Sequence, residues 1–561
     1  MEVISKLPLP LGSTDYKEIC KNYYYIDKTL LIKELLDERA AISLFTRPRR
    51  FGKTLNMNML KTFFEKSAED TSVYFKDKKI WQQGEKYTQY QGKYPVIFLS
   101  FKDANKYTWA ELYPRLIETI RDEYIRHSEL ENSAFVSKVD AVTYQSIINN
   151  TAIETDYMFS LQTLSRMLNA HHKKAPIIII DEYDTPIQEG FTNNYYAKAV
   201  EFIRNFFSTA LKDNPNVTLS IMTGILRVAK ESIFSGLNNI RVDSVLDDKF
   251  SNYFGFTNDE ITSIAEYYGV PEKITEIKSW YDGYKFGDTE IYNPWSVINY
   301  LSNNYKAIPY WSQTSENTII HEILKKYNEA TYKNLYELLR ENGKVTSIVK
   351  TNIIYPRLKE PQTNILGFLL MTGYLKSTVT TINEDGAYIC KLNIPNKEIR
   401  TVYREKIISL LNNEIGETTV TELRNALLEK NSKIIKNTLS EFLMKTISYF
   451  DGLKENYYHG LMLGLITIFE YTHTIRSNRE SGNGRYDIQL APKNAGMPGI
   501  IIEIKADESK EKKQNLEHLA QIAFDQINEK KYDTDLISIG VNTIYKYGIA
   551  FANKEVAVRN N

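Results

Sequence analysis

The sequence predicts an α/β protein with a parallel sheet near the N-terminus, a mainly helical middle region, and a second α/β unit at the C-terminal end. Three observations predict it. Short apolar runs at Ala41–Thr46, Pro95–Phe101, Ile177–Ile180 and Val217–Met222 alternate with amphipathic stretches, as in a parallel sheet buried on both faces. Residues 257 to 385 read as mostly helical and are rich in Tyr and Asn. From Arg485 to Ala552 the pattern becomes strand, strand, helix, strand. The expected divisions are 1–245, 246–385 and 386–561, the last with a helical lead-in.

At 561 residues the chain is too long for one compact core. Lys and Arg total 70, as do Asp and Glu, so no global field advertises a protein that coats nucleic acid. A single local groove is compatible with that balance. Cys20 and Cys390 are the two cysteines, which excludes a disulfide framework or cysteine-rich zinc site and suits a reducing cytoplasm. No signal-peptide pattern opens the chain, and the apolar stretch Leu461–Phe469 is about half a bilayer span. The expectation is a soluble, cytoplasmic protein with no membrane partner.

The run Ala41–Thr46 leads into Phe45–Thr54 (FTRPRRFGKT), followed by a helix-like segment in which Leu55, Met59, Leu60 and Phe63 share a face. Gly52, Lys53 and Thr54 match the second half of the Walker A pattern. There, helix N-terminal N–H groups cradle phosphates, the lysine reaches the β and γ oxygens, and the hydroxyl binds Mg²⁺. Arg47 stands where that pattern has its first glycine, and Arg50 is a further candidate phosphate contact. Four isoleucines, Ile177–Ile180, run into Asp181 and Glu182, the Walker B order of a metal-holding Asp and a water-polarising Glu. Both halves fall at the C-terminal ends of expected parallel strands, where such sheets bind ligands. Thr223 ends the next strand and could sense the γ-phosphate. Arg227 and Lys230 follow, as phosphate-neutralising cations or as surface residues of a helix start. The turn-rich island Trp280–Ser296 (WYDGYKFGDTEIYNPWS) reads either as a packed irregular loop or as a lid.

Near the other end, Asp487 leads a short strand, and Glu503 and Lys505 alternate within Ile500–Ala506, so the latter two share a strand face. A hairpin would set Asp487 opposite Glu503. Two carboxylates converging from adjacent strands make a hard-oxygen site for Mg²⁺ or Mn²⁺, beside a lysine able to orient water. Glu455 and His459 lie one helical turn apart upstream. A packing role suits His459 equally well. The tract Asp507–Lys513 mixes charge signs and reads as a solvated loop or helix start.

Together YYYIDKTLLIK (Tyr23–Lys33), FTRPRRFGKT, IIIIDEYDTPI, TGILRVAKESIFSGLNNI and WYDGYKFG…IYNPWS resemble the prokaryotic AAA-ATPase-like family, whose members commonly carry a C-terminal PD-(D/E)XK nuclease-like domain. The resemblance covers nearly the whole chain, and the arginine at position 47 looks like that family's own pattern. It implies a P-loop ATPase-type sheet, a helical lid and a restriction-endonuclease-like domain. It further implies ATP and Mg²⁺ (or Mn²⁺) as cofactors, and nucleic acid, DNA ahead of RNA, as partner. Gln526 and Tyr532 resemble the Q-x-x-x-x-x-Y element of the RecB-like branch, and Tyr23–Lys28 would lie near the nucleotide base.

The expected function is ATP hydrolysis coupled to, and gating, metal-dependent phosphodiester hydrolysis. The alternative is a nucleotide-switched scaffold whose nuclease-like domain binds without cleaving. Fused ATPase–nucleases are often defence or mobile-element proteins, an analogy from architecture. Related ATPases often assemble as homo-oligomers in which a neighbour completes the site, and no arginine finger stands out.

Overall fold

The computed structural model describes residues 6–228, 240–311, 334–335, 337–339, 343–353, 355, 365–384, 386–403, 417–446, 455–466, 469, 472–507 and 515–561. Lys230 and positions 508–513 of the mixed-charge tract lie outside the described residues. The chain divides into two compact units, Met1–Ile319 with Ser347–Glu398, and Ile320–Thr346 with Ile399–Asn561.

After the helices Tyr16–Asn22 and Leu30–Glu38, the first strands of the first unit are β1 (Ile42–Thr46), β2 (Val96–Ser100), β3 (Ile177–Asp181), β4 (Leu219–Gly224), the two-residue β5 (Arg227–Val228) and β6 (Ile240–Asp243). Five of these pair in parallel in the order β2-β3-β4-β1-β6. Every residue of β1, β3 and β4 is buried, which is why their sequences run apolar without alternation. With β4 between β1 and β3, the chain leaves all three strands at one edge of the sheet. The loop after β1, the acidic turn after β3 and Thr223 therefore meet, as the topology of such sheets favours. The edge strand β6 carries no long apolar run, and its IRVD sequence gave no strand signal.

Further along are β7 (Tyr284–Phe286), β8 (Thr289–Ile291), β9 (Val345–Val349), β10 (Asn352–Ile353), β11 (Lys376–Ile382) and β12 (Tyr388–Asn393). The island Trp280–Ser296 contains the β7–β8 hairpin and then a helix, Pro294–Ser302, whose N-cap Asn293 accepts from Ser296 N–H. Tyr281, Tyr284, Phe286, Ile291 and Tyr292 are buried, so the island belongs to the core. Beside the helices of this region, β11, β12 and β9 form a three-stranded sheet. The outer half of β11 is exposed and threonine-rich, which hid it from an apolar-run reading. β10 pairs in parallel with β5.

The second unit is built on β13 (His473–Ser481), β14 (Gly484–Pro492), β15 (Gly499–Ala506), β16 (Ile544–Ala552) and β17 (Glu555–Asn560), neighbours in that order. β15 and β16 are parallel and the other pairs antiparallel. The expected strand, strand, helix, strand series is β14, β15, the helix Leu516–Glu529 and β16. The largely polar β13 and the short β17 extend it on both sides. Gly548 permits the helix to lie directly on the sheet, because a Cβ there would fall 2.2 Å from the Ala520 carbonyl oxygen.

Candidate functional site

From Thr46 the chain turns through Arg47–Gly52 into the helix Lys53–Phe64. Arg50 and Gly52 take left-handed backbone, at φ 71° and 80°, and nothing lies within 4 Å of a Cβ built on Gly52. The turn thus presents first-turn N–H groups, which have no partner inside the helix, to open space. The buried Lys53 Nζ donates to the carbonyls of Arg47 (3.0 Å) and Pro48 (2.8 Å). Burial pushes its amine below the ordinary lysine value, against the pull of Glu182, Asp181 and Asp184.

Thr54 Oγ1 donates to Asp181 Oδ2 at 2.7 Å, and Thr223 Oγ1 donates to Asp181 Oδ1 at 2.5 Å. Asp181 is fully buried between these two hydroxyls. Glu182 holds a positive φ of 54°, a conformation that costs a non-glycine residue about 1 kcal/mol or more. Burial raises its carboxyl above the usual range, partly offset by Lys53. Asp184 Oδ2 accepts the N–H groups of Ile225 and Leu226, both at 2.9 Å. A lysine, a hydroxyl–carboxylate–hydroxyl chain and an open glycine turn fit a magnesium–nucleoside triphosphate.

Arg47, where the Walker pattern has a glycine, is fully buried and ion-paired to Asp243 at the end of β6. It also donates to the Asp243 carbonyl (2.9 Å) and lies 5.1 Å from both the Phe254 and Phe286 rings. Its work is to anchor the loop. Phe51 packs against Tyr284 and Phe286, so the aromatic island supports the loop from beneath. Arg50 stacks on Trp295, 4.4 Å from its ring. Arg227 is half-buried on β5, and its charge reaches Tyr183. In the Tyr23–Lys28 segment, Tyr25 contacts Met59 Sδ (3.6 Å), and Lys28 pairs with Glu260 (2.6 Å).

In the second unit the register Ile488↔Ile502 sets Asp487 across from Glu503. Asp487 N–H donates to Glu503 Oε2 (3.2 Å), and Ile504 N–H donates to Asp487 Oδ2 (2.8 Å). Lys505 Nζ is 3.6 Å from Glu503 and 3.9 Å from Glu455. Gln526 donates to Glu503 Oε1 and to the Tyr532 hydroxyl (3.0 Å). His459 Nε2 lies 3.1 Å from both the Asp487 carbonyl and Ser477 Oγ, inside the fold rather than beside the carboxylates. Burial and the neighbouring Asp487 push the Glu503 carboxyl up to about 8. The Asp487 charge works against ionisation of Glu503, and a divalent cation shared by the two carboxylates would relieve that repulsion. Among the described residues no group of three His, Cys, Asp or Glu gathers at metal spacing, so such an ion would complete its shell with water or carbonyl oxygen.

The family described as "Predicted AAA-ATPase" matches residues 10–234, and the PD-(D/E)XK nuclease superfamily matches residues 453–561. The chain joins an AAA-ATPase-like domain to a PD-(D/E)XK nuclease-superfamily domain. It is also similar to an Azotobacter chroococcum mcd 1 protein named "Uncharacterized protein in vnfD 5'region". The two are 24% identical over 413 residues, covering 72% of this chain and 70% of that protein.

Some residues at these sites escaped the sequence reading. Asp184 of the ATPase-like domain was visible as the last residue of the DEYD run. Ser477 in the nuclease-superfamily domain had no signal, because its place beside His459 depends on the β13–β14 pairing.

Proposed function

We propose that the first unit binds and hydrolyses ATP, that the nuclease-superfamily domain cleaves phosphodiester bonds in DNA, and that nucleotide state gates the cleavage. The observation that carries the reading is the gathering of both donor sets: Lys53, Thr54, Asp181, Glu182 and Thr223 in one unit, Asp487, Glu503 and Lys505 in the other. At the first site Lys53 and the loop N–H groups would hold the phosphates, and Thr54 and Asp181 would hold Mg²⁺. Glu182 accepts the proton of the attacking water, and Thr223 keeps Asp181 aligned. At the second, Asp487 and Glu503 would hold Mg²⁺ or Mn²⁺, which would supply Lewis-acid stabilisation of the charge that builds on the phosphate. Lys505 orients the attacking water, and Gln526 with Tyr532 holds the Glu503 carboxylate in place.

Gating is inferred from the fusion of the two domains. No helix among the described residues is long and apolar enough to cross a membrane. The two free thiols suit the cytoplasm as the place of action. The test is cleavage of labelled DNA and RNA by the whole chain with Mg²⁺ or Mn²⁺, with and without ATP, beside Glu503→Ala/Lys505→Ala. Cleavage that needs the pair and changes with ATP is the expected result. ATP turnover without cleavage under any condition would leave a nucleotide-switched scaffold.

A further inference from the structure

The phosphate loop and the stretch of chain that leaves the first unit are fastened to the same few residues. Glu398 is the last residue of the first unit, and Ile399 resumes the second. Arg400, one residue further, donates to the Leu339 carbonyl of the second unit at 3.0 Å. Pro395, Asn396 and Glu398 thus form the connector on the first unit's side. Trp311 alone bridges this connector to the loop. Its indole Nε1–H donates to the Arg49 carbonyl (3.3 Å), and its backbone N–H donates to Glu398 (2.8 Å).

Two further bridges run beside it. Trp295 holds the Arg50 guanidinium 4.4 Å from its ring, and the next residue, Ser296, donates its hydroxyl to Glu398 at 2.9 Å. Tyr284 meets the Phe51 ring at 4.9 Å, and the two residues before it hold the connector. The Asp282 carbonyl accepts from Asn396 Nδ2 (2.7 Å), and a Cβ on Gly283 would fall 2.2 Å from the Pro395 carbonyl oxygen. Trp311, Ser296, Tyr284 and Glu398 are all buried, and close-packed interiors transmit strain. The loop also has a lever: Lys53 holds the carbonyls of Arg47 and Pro48, next to Arg49. A lysine that turns to phosphate oxygens gives those carbonyls up.

We propose that Trp311 and Ser296, meeting on Glu398, are the relay through which nucleotide at the phosphate loop controls the nuclease-superfamily domain. This rests on the gating reading above and names the residues that carry it. Release of the loop carbonyls by Lys53 moves the Arg49 carbonyl, and the Trp311 indole follows it. The Trp311 backbone N–H then draws on Glu398, the residue at which the chain passes to the second unit. Ser296 sets the resting position of the same carboxyl, and Arg50 on Trp295 ties Ser296 to the loop. A packed contact of this kind has discrete arrangements, so a small shift at one end is passed on whole.

The experiment compares the full chain with Ser296→Ala and Trp311→Phe, the second of which keeps a ring against Tyr374 (4.9 Å in the parent) but loses the indole N–H. It measures cleavage of labelled DNA in Mg²⁺ with and without ATP, ATP turnover, and ATP affinity with and without DNA. In the parent, DNA should change ATP affinity by about 5-fold or more, because linkage between two binding sites is reciprocal. In both variants that factor, and the ratio of cleavage rates with and without ATP, should fall to about twofold or less. Nucleotide-free cleavage should persist in both, and ATP turnover in Ser296→Ala. Variants that keep the parent's ratios overturn the relay and leave gating intact. Loss of nucleotide-free cleavage in both variants also overturns it, since the contacts would then serve the fold alone. A parent chain whose cleavage ignores ATP, or that cleaves nothing, overturns the gating reading and the relay with it.

Discussion

At Glu182 an unfavourable backbone and a buried carboxyl coincide, the first at φ 54° and the second raised by desolvation. Such strain persists where the surroundings over-determine a conformation, and here the Tyr183 N–H is tied to the Thr223 carbonyl (3.0 Å) immediately afterwards. Glu182→Gln keeps the shape and removes only the group proposed to accept the proton. We expect ATP affinity to hold and kcat to fall by about 10²–10⁴-fold, the usual worth of a general base. The melting temperature should not fall, because burial disfavours the ionised carboxylate. Unchanged turnover would remove Glu182 from the mechanism. Residues of this kind are legible in sequence because each is set by its own strand: four isoleucines announce β3, and the acids follow at its end. The same holds for Glu503 and Lys505, whose spacing is a strand alternation.

Elements are tied by contacts that a local reading does not see. Arg47 at the end of β1 and Asp243 at the end of β6 are 196 residues apart and form a buried ion pair. Nothing near Arg47 names its partner, so the substitution of the Walker glycine could be noticed but not explained. Removing one member leaves a buried charge alone, at a cost of about 3–5 kcal/mol. Arg47→Met is therefore expected to destabilise the first unit by that amount in urea denaturation, and Arg47→Met/Asp243→Leu to recover most of it. If Arg47 instead met phosphate, the single variant would keep its stability and lose ATP affinity. Edge elements were missed for a related reason. β6, β13 and part of β11 are polar on one side, and their strand character comes from neighbours brought to them by the fold.

Across the first unit, Glu398 gathers distant segments, accepting from Ser296 Oγ (2.9 Å) and from Trp311 N–H (2.8 Å). It is fully buried, and desolvation raises its carboxyl to about 7 from an ordinary 4.5. A carboxyl raised on folding favours the protonated state, so its contribution is fully present below 4.5 and is lost as pH rises through 7. Between pH 5 and 8 this group should remove about 2–3 kcal/mol of stability. Denaturation of the parent at the two pH values should show that loss, and Glu398→Gln should largely abolish it. A slope unaffected by the substitution would place the titration elsewhere.

One small ladder has a wider meaning. β5 and β10 are joined through just Asn352↔Arg227 and Ile353↔Val228. So short a strip has little stability of its own. Beside it, the Val228 N–H donates to the Tyr183 hydroxyl, which in turn donates to the Leu226 carbonyl (3.0 and 2.6 Å). Tyr183 directly follows Glu182. The strip is thus a natural tell-tale for the acidic turn: when the turn shifts, amide exchange at Arg227–Val228 and Asn352–Ile353 should quicken or slow together, reporting the state of a buried site from backbone outside it.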